Sequence, residues 1–337
     1  MNGDWLIRGP EGRLGVYIPS GDGVLCRAEH RPGGPWDGPR KVGGDQKVHP
    51  GHAVGQGVDG YAHLVAWRPT VPGESGLVHS THFRPHLAAL DWTPIGHPNK
   101  KGDRTGPPAV AVDAEGRAHV FVRNKGGGVS MVAQKESGGW GPWRDLKGRG
   151  TQEQLIAVTG GSGRVELYTS SADGILRRHQ EVPDGALVPG ELLDVRVRAG
   201  TLSALVTSKE RTTLFFADPE GMLCAWRPGG DPVPLLAAAG PGPVAAIRCV
   251  VAGQDCTLLA QRSAAGRVVF AACPTEQESA GLRWTESGPH LPAGARVAVV
   301  EDADGRLVAA TLTADGELRL ARQKDEPGIA LAAWQTV

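Results

Sequence analysis

The chain has 337 residues, with 49 glycines, 26 prolines, 36 basic and 36 acidic side chains, and a formal net charge of zero. Balanced charge argues against nucleic acid as a partner, which calls for a basic excess. No run of about 18 apolar residues occurs, so no membrane span is expected.

Glycine and proline are spread along the whole chain, so many short strands joined by turns are expected. The first predicted strand is "DWLIRG", followed by turns at Gly12 and Gly23. The stretch "MNGDWLIRGPEGRLG" lacks the basic-then-apolar layout of a secretory leader, so a cytoplasmic protein is expected. The turn pair recurs as Gly60 with Gly76, Gly116 with Gly128, Gly163 with Gly174, and Gly305 with Gly316. In two further copies Glu210 and Asp255 replace the first glycine, ahead of Gly221 and Gly266. The insertion "PTVPGES" lengthens one loop of the second copy. First-turn positions at 12, 60, 116, 163, 210, 255 and 305 define seven units with a period of about 48 residues.

Each unit reads as four strands, predicted in the third over about 108–113, 117–123, 129–134 and 140–146. Seven such units predict an all-β fold, a seven-bladed β-propeller of four-stranded antiparallel blades forming one domain. The blades are expected at about 1–45, 46–103, 104–149, 150–197, 198–240, 241–293 and 294–337. A two-sheet sandwich, the runner-up, would not need seven near-equal units.

Within the second strands, Val16, Leu64, Val120, Leu167, Leu214, Leu259 and Ala309 form one column. Tyr17, Val65, Phe121, Tyr168, Phe215, Ala260 and Ala310 form the next. Adjacent strand positions face opposite sides of a sheet, so these strands are predicted to be buried on both faces. Tryptophan recurs at unit ends: Trp36, Trp92, Trp140, Trp143, Trp284 and Trp334. Recurrence at one place in a repeat predicts contact between blades rather than ligand stacking. The chain ends on a fourth strand, "AAWQTV", so on this phase neither terminal blade needs an exchanged strand. Five cysteines, Cys26, Cys224, Cys249, Cys256 and Cys273, have no C-x-x-C spacing and are expected to be buried free thiols.

The third unit, "VDAEGRAHVFVRNKGGGVSMVAQKESGGWGPWRDLKG", resembles the repeat of the PLL-like seven-bladed propeller lectins of bacteria. The likeness lies in Asp113, Gly116-Arg117, Val120-Phe121, Gln134, and the closing Trp140, Trp143 and Leu146. Other units keep parts of it: Gly12-Arg13, "SGRVELY" at 162–168, "SADGILRRHQ" at 171–180 and "ADGRL" at 303–307. The resemblance implies the propeller fold and binding of sugars, fucose-type residues especially, in shallow pockets between adjacent blades. Units five and six lose the Gly-Arg pair, and divergence on a retained scaffold points to one specialised site or to a protein-docking surface.

Seven of the eleven histidines fall in unit two: His49, His52, His63, His79, His82, His86 and His97. Imidazoles titrate near neutral pH, which makes His63, His79 and His82 the candidate acid/base residues of an enzyme. His79 and His82 stand at i and i+3 in a strand and face opposite sides, a poor arrangement for one metal. No metal or cofactor is expected. His63, His119 and Glu166 share a column of otherwise apolar residues, and are expected to be hydrogen-bonded between blades or to face a blade-junction site. The candidate ligand-binding residues are Trp67, Arg84, Trp92, His119, Arg123 and Glu166. No G-x-S-x-G, Walker, H-E-x-x-H or EF-hand motif occurs.

Three functions fit this sequence. The first is a lectin-like propeller holding a carbohydrate or other small polar or glycosylated ligand at a blade junction or face. The second is a cofactor-independent cyclase, transferase or hydrolase tailoring a secondary metabolite. The third is a scaffold that docks a protein partner. Fold alone does not choose among them.

Overall fold

A computed structural model describes residues 5–326 and 328–337. The described strands form seven four-stranded sheets, spanning 6–41, 52–96, 109–145, 155–193, 203–237, 245–290 and 296–336. Every sheet is an antiparallel meander of four strands consecutive in sequence, the first and last sheets included. The fold is a seven-bladed β-propeller, and its terminal blades contain no exchanged strand. The chain divides into two compact units. Gly9–Val195 holds blades two to four and most of blade one; Arg196–Val337, with the first strand of blade one, holds blades five to seven.

Both columns of the second strands are fully buried, from Val16 and Tyr17 to Ala309 and Ala310. The two faces pack on different neighbours. In blade six, Leu259 meets Phe215 and Leu223 of blade five, while Leu258 and Phe270 meet Val299 and Leu307 of blade seven. Likewise Val65 and Trp67 of blade two meet Val120 and Val132 of blade three.

The repeat motifs have local mechanical roles. In the first turn of blade three, Asp113 Oδ1 accepts the Glu115 and Arg117 N–H groups at 3.0 and 2.9 Å. Asp302 does the same for Asp304 and Arg306 in blade seven, each at 3.0 Å. Gly116 and Gly305 follow in the left-handed conformation, at φ 78° and 72°. A glutamine after the third strand then ties down the start of the second. Gln134, Gln180 and Gln323 accept from the N–H groups of Ala118, Val165 and Leu307 at 2.8 to 3.0 Å.

Two expected details differ. In blade six the first turn falls at Ala252-Gly253, with φ 50° and 80°, and Asp255 lies inside the strand Gln254–Arg262. Here, as at Lys209-Glu210 in blade five, a two-residue hairpin replaces the longer turn of blades three and seven. In blade three the fourth strand shrinks to Arg144–Asp145, because Gly138, Gly139 and Pro142 interrupt the ladder and leave only a bridge from Gln134 to Trp140.

The unit-end tryptophans link blades. Trp92 lies on Gly43 of blade one, where a Cβ would stand 2.2 Å from the ring, and its Nε1 donates to the Val42 carbonyl at 2.9 Å. Trp334 lies close to Gly288 of blade six, where a Cβ would stand 2.8 Å from the ring, and Trp143 faces Gly96 of blade two at 3.6 Å, an ordinary contact. Trp284 of blade six donates to the Ala237 carbonyl of blade five at 2.8 Å. All five cysteines are buried and free.

Candidate functional site

The histidines and binding candidates of blades two to four have internal partners. His63 Nδ1 and His79 Nε2 share a hydrogen at 3.0 Å, the two rings stack, and Trp140 meets His79 edge-on at 5.2 Å. His82 Nε2 donates to the Leu87 carbonyl at 2.9 Å, which leaves its Nδ1 to accept from the Tyr17 hydroxyl at 3.0 Å. His119 Nε2 bonds Asp113 Oδ2 at 2.9 Å. Against the upward push of burial, hydrogen bonds from His119 and the Arg117 N–H hold the Asp113 carboxyl below the usual range. Glu166 Oε2 accepts from Arg177 Nε at 2.9 Å and from the Tyr168 hydroxyl.

The column His63, His119 and Glu166 is therefore hydrogen-bonded within each blade rather than between blades. The cause is register. His79 and Arg177 are the diagonal cross-strand neighbours of His63 and Glu166 on the same face, within reach of long side chains. Trp67 is buried and donates to the Gly106 carbonyl at 2.8 Å. Arg84 is exposed and pairs with Glu11 at 3.2 Å. Arg123 donates to the Thr105 and Thr151 carbonyls at 3.2 and 3.4 Å. Trp92 is the inter-blade ring already described.

Burial, reinforced by the neighbouring His63 ring, pushes the His79 imidazole from 6.5 down to about 3, and burial lowers His63 and His82 as well. The folded protein holds these rings neutral, while the unfolded chain takes up protons below about pH 6.5. The contribution of His79 to stability is therefore complete above about pH 6.5 and is lost progressively as the pH falls towards 3, and those of His63 and His82 fall in the same direction. We expect acidification from pH 7 to pH 5 to cost about 1–2 kcal/mol through His79. Melting curves against pH check this, with a flatter profile in His79→Gln.

An open cavity lies elsewhere, in the unit Arg196–Val337. It has about 560 Å³ and opens beside the fourth strand of blade six, Thr285–His290. Its floor follows from register. Thr285 pairs with Phe270, and Ala272 pairs with Leu258, so these four side chains share one face of the sheet. Arg283, just before the strand, and Ser287 within it also line the cavity, while Trp284 packs towards blade five. Ile329 of blade seven completes the wall. The result is an apolar floor of Leu258, Phe270 and Ala272 beneath a row of Arg283, Thr285 and Ser287. Those three side chains take no hydrogen-bond or ion-pair partner among the described residues.

The blade-six tryptophan explains why the cavity opens here. Three residues beyond Trp92, Trp143 and Trp334 stand Ile95, Leu146 and Val337, all apolar. Beyond Trp284 stands Ser287, and before it Arg283, where the other three blades have Asp91, Pro142 and Ala333. A small hydroxyl in place of a branched apolar side chain leaves the blade junction unfilled.

The residues before Arg283 are firmly held. In the segment joining the third and fourth strands, Glu278 is buried and receives both Arg227 Nη groups of blade five at 2.6 and 2.9 Å. Glu276 accepts from the Thr207 hydroxyl at 2.9 Å and pairs with Arg211. A second cavity, of about 420 Å³, lies against the long loop of blade two and includes His49, Glu74, Asp103 and Arg104. Its Asp103 is already engaged by the Ser75 hydroxyl and the Arg104 N–H. Among the described residues no cluster of three His, Cys, Asp or Glu side chains could hold a metal, and no helix is long and apolar enough to cross a membrane.

No family model and no curated relative matches the sequence. Among solved structures, the BP39L lectin from Burkholderia pseudomallei is 16% identical, with a TM-score of 0.72 over 96% of each chain. The Aleuria aurantia lectin, solved with Fucα1-6GlcNAc, gives 0.54 at 13% identity over 85% of this chain and 96% of that one. A proposed 6-phosphogluconolactonase from Bacteroides fragilis gives 0.62 at 13% identity over 97% and 98%. At these identities the likeness is one of fold. The resemblance to propeller lectins read in the third unit thus extends to the architecture of the whole chain.

Proposed function

We propose that the protein is a lectin-like binding module. Its site is the cavity between blades six and seven, and its ligand is a carbohydrate or small glycosylated molecule. The observation that carries this reading is the unengaged row Arg283, Thr285 and Ser287 above the Leu258, Phe270 and Ala272 floor. A sugar ring has an apolar C–H face and a hydroxyl edge. The floor suits the face, with Phe270 as its aromatic surface, and the row supplies donors and acceptors for the edge. Mostly apolar walls with a few convergent polar groups are the usual composition of a small-molecule site. The presence of lectins among the proteins of like fold supports the class of ligand by analogy.

Calorimetric titration with neutral monosaccharides and α-methyl fucoside tests the reading. One site per chain is expected, and Ala272→Trp, which fills the floor, should abolish binding without lowering the melting temperature. Undiminished affinity in that variant would move the site elsewhere.

A further inference from the structure

We infer that the ligand of this cavity is an acidic sugar, whose carboxylate is taken by Arg283. The inference rests on the site proposed above and names its ligand class. Among the described residues, Arg283 is the one charged side chain lining the cavity, and no carboxylate lines it. Four other arginines of the same unit are neutralised within the protein: Arg227 by Glu278, Arg211 by Glu276, Arg248 by Asp255 and Arg322 by Asp302, while Arg198 and Arg262 donate to backbone carbonyls. Arg283 has no such partner among the described residues.

A ligand seated on the floor would cover this guanidinium and strip part of its water. A neutral hydroxyl compensates that loss poorly, whereas a carboxylate matches the planar fork with two parallel charge-assisted hydrogen bonds. The row also sets the geometry. Arg283 stands two residues before Thr285, where the strand begins, about 7 Å at extended spacing, which is the span of one pyranose ring. The carboxylate then sits at Arg283 and the ring hydroxyls at Thr285, with Ser287 placed for a second ring.

The test is calorimetry on the full chain with D-galacturonate against D-galactose and D-glucuronate against D-glucose, at low and at 0.5 M salt. The better acid is expected to bind about tenfold or more tightly than its neutral counterpart at low salt. The ratio should shrink at high salt and fall to about one in Arg283→Gln, with Arg283→Lys intermediate because it keeps the charge and loses the fork. Wild-type melting of the variants shows that they are folded. Equal affinity for acid and neutral sugars, or a ratio that survives Arg283→Gln, overturns the inference while the lectin reading stands. No binding of any sugar at millimolar concentration overturns both.

Discussion

Arg227→Met is expected to lower stability by about 3 kcal/mol, a large change for one side chain. Glu278 is 3% exposed, and both its carboxylate oxygens are taken by the Arg227 guanidinium. Removing the arginine strands a carboxylate that water cannot reach. That is more costly than never having had the pair, because two desolvated charges repay each other only together. The double variant Arg227→Met/Glu278→Leu should therefore recover most of the loss. Urea unfolding midpoints of the two single variants and the double variant check this. Glu278 lies in the segment that leads into Arg283, and Arg227 of blade five holds it there, so sugar binding should weaken in Arg227→Met even where the protein remains folded. Unchanged stability in that variant would mean that Glu278 is hydrated in solution.

Trp92→Ala is expected to cost about 3–5 kcal/mol. The ring is 2% exposed, lies against Gly43 of the preceding blade, and anchors its nitrogen on the Val42 carbonyl. Gly43→Ala attacks the same contact from the other side. Gly43 has φ 69°, and a Cβ there would stand 2.2 Å from the Trp92 ring, so both strain and collision oppose it. The two substitutions should be strongly non-additive. Once Trp92 is gone the collision disappears, and Gly43→Ala should cost only the left-handed strain, about 1–2 kcal/mol. Additive effects would show that the ring does not depend on the glycine.

The architecture was legible because its signals are local. Gly12, Gly116, Gly163 and Gly305 mark turns that a side chain would strain, and their spacing counts the blades. Adjacent apolar columns in the second strands leave room only for a sheet covered on both sides. The turn of blade six was misplaced because spacing alone put it at Asp255, whereas Ala252-Gly253 makes a tighter hairpin.

The candidate site was far less legible. Residue type drew attention to His63, His79 and His82, but their pairing with each other and with Tyr17 follows from cross-strand register, which spacing along the chain does not reveal. Arg283, Thr285 and Ser287 carried a signal in the alternation of "LRWTES" around Trp284. The Leu258, Phe270 and Ala272 floor needs the pairing of three strands, and no single stretch of sequence contains it.

A crystal structure of the protein grown with the tightest-binding sugar tests the central claim most directly. The account predicts one sugar per chain, its C–H face on Phe270 and its polar groups on Arg283, Thr285 and Ser287. A sugar bound instead at the His63–His79 pair, or in the loop cavity by Asp103, with the blade-six cavity empty, would contradict it.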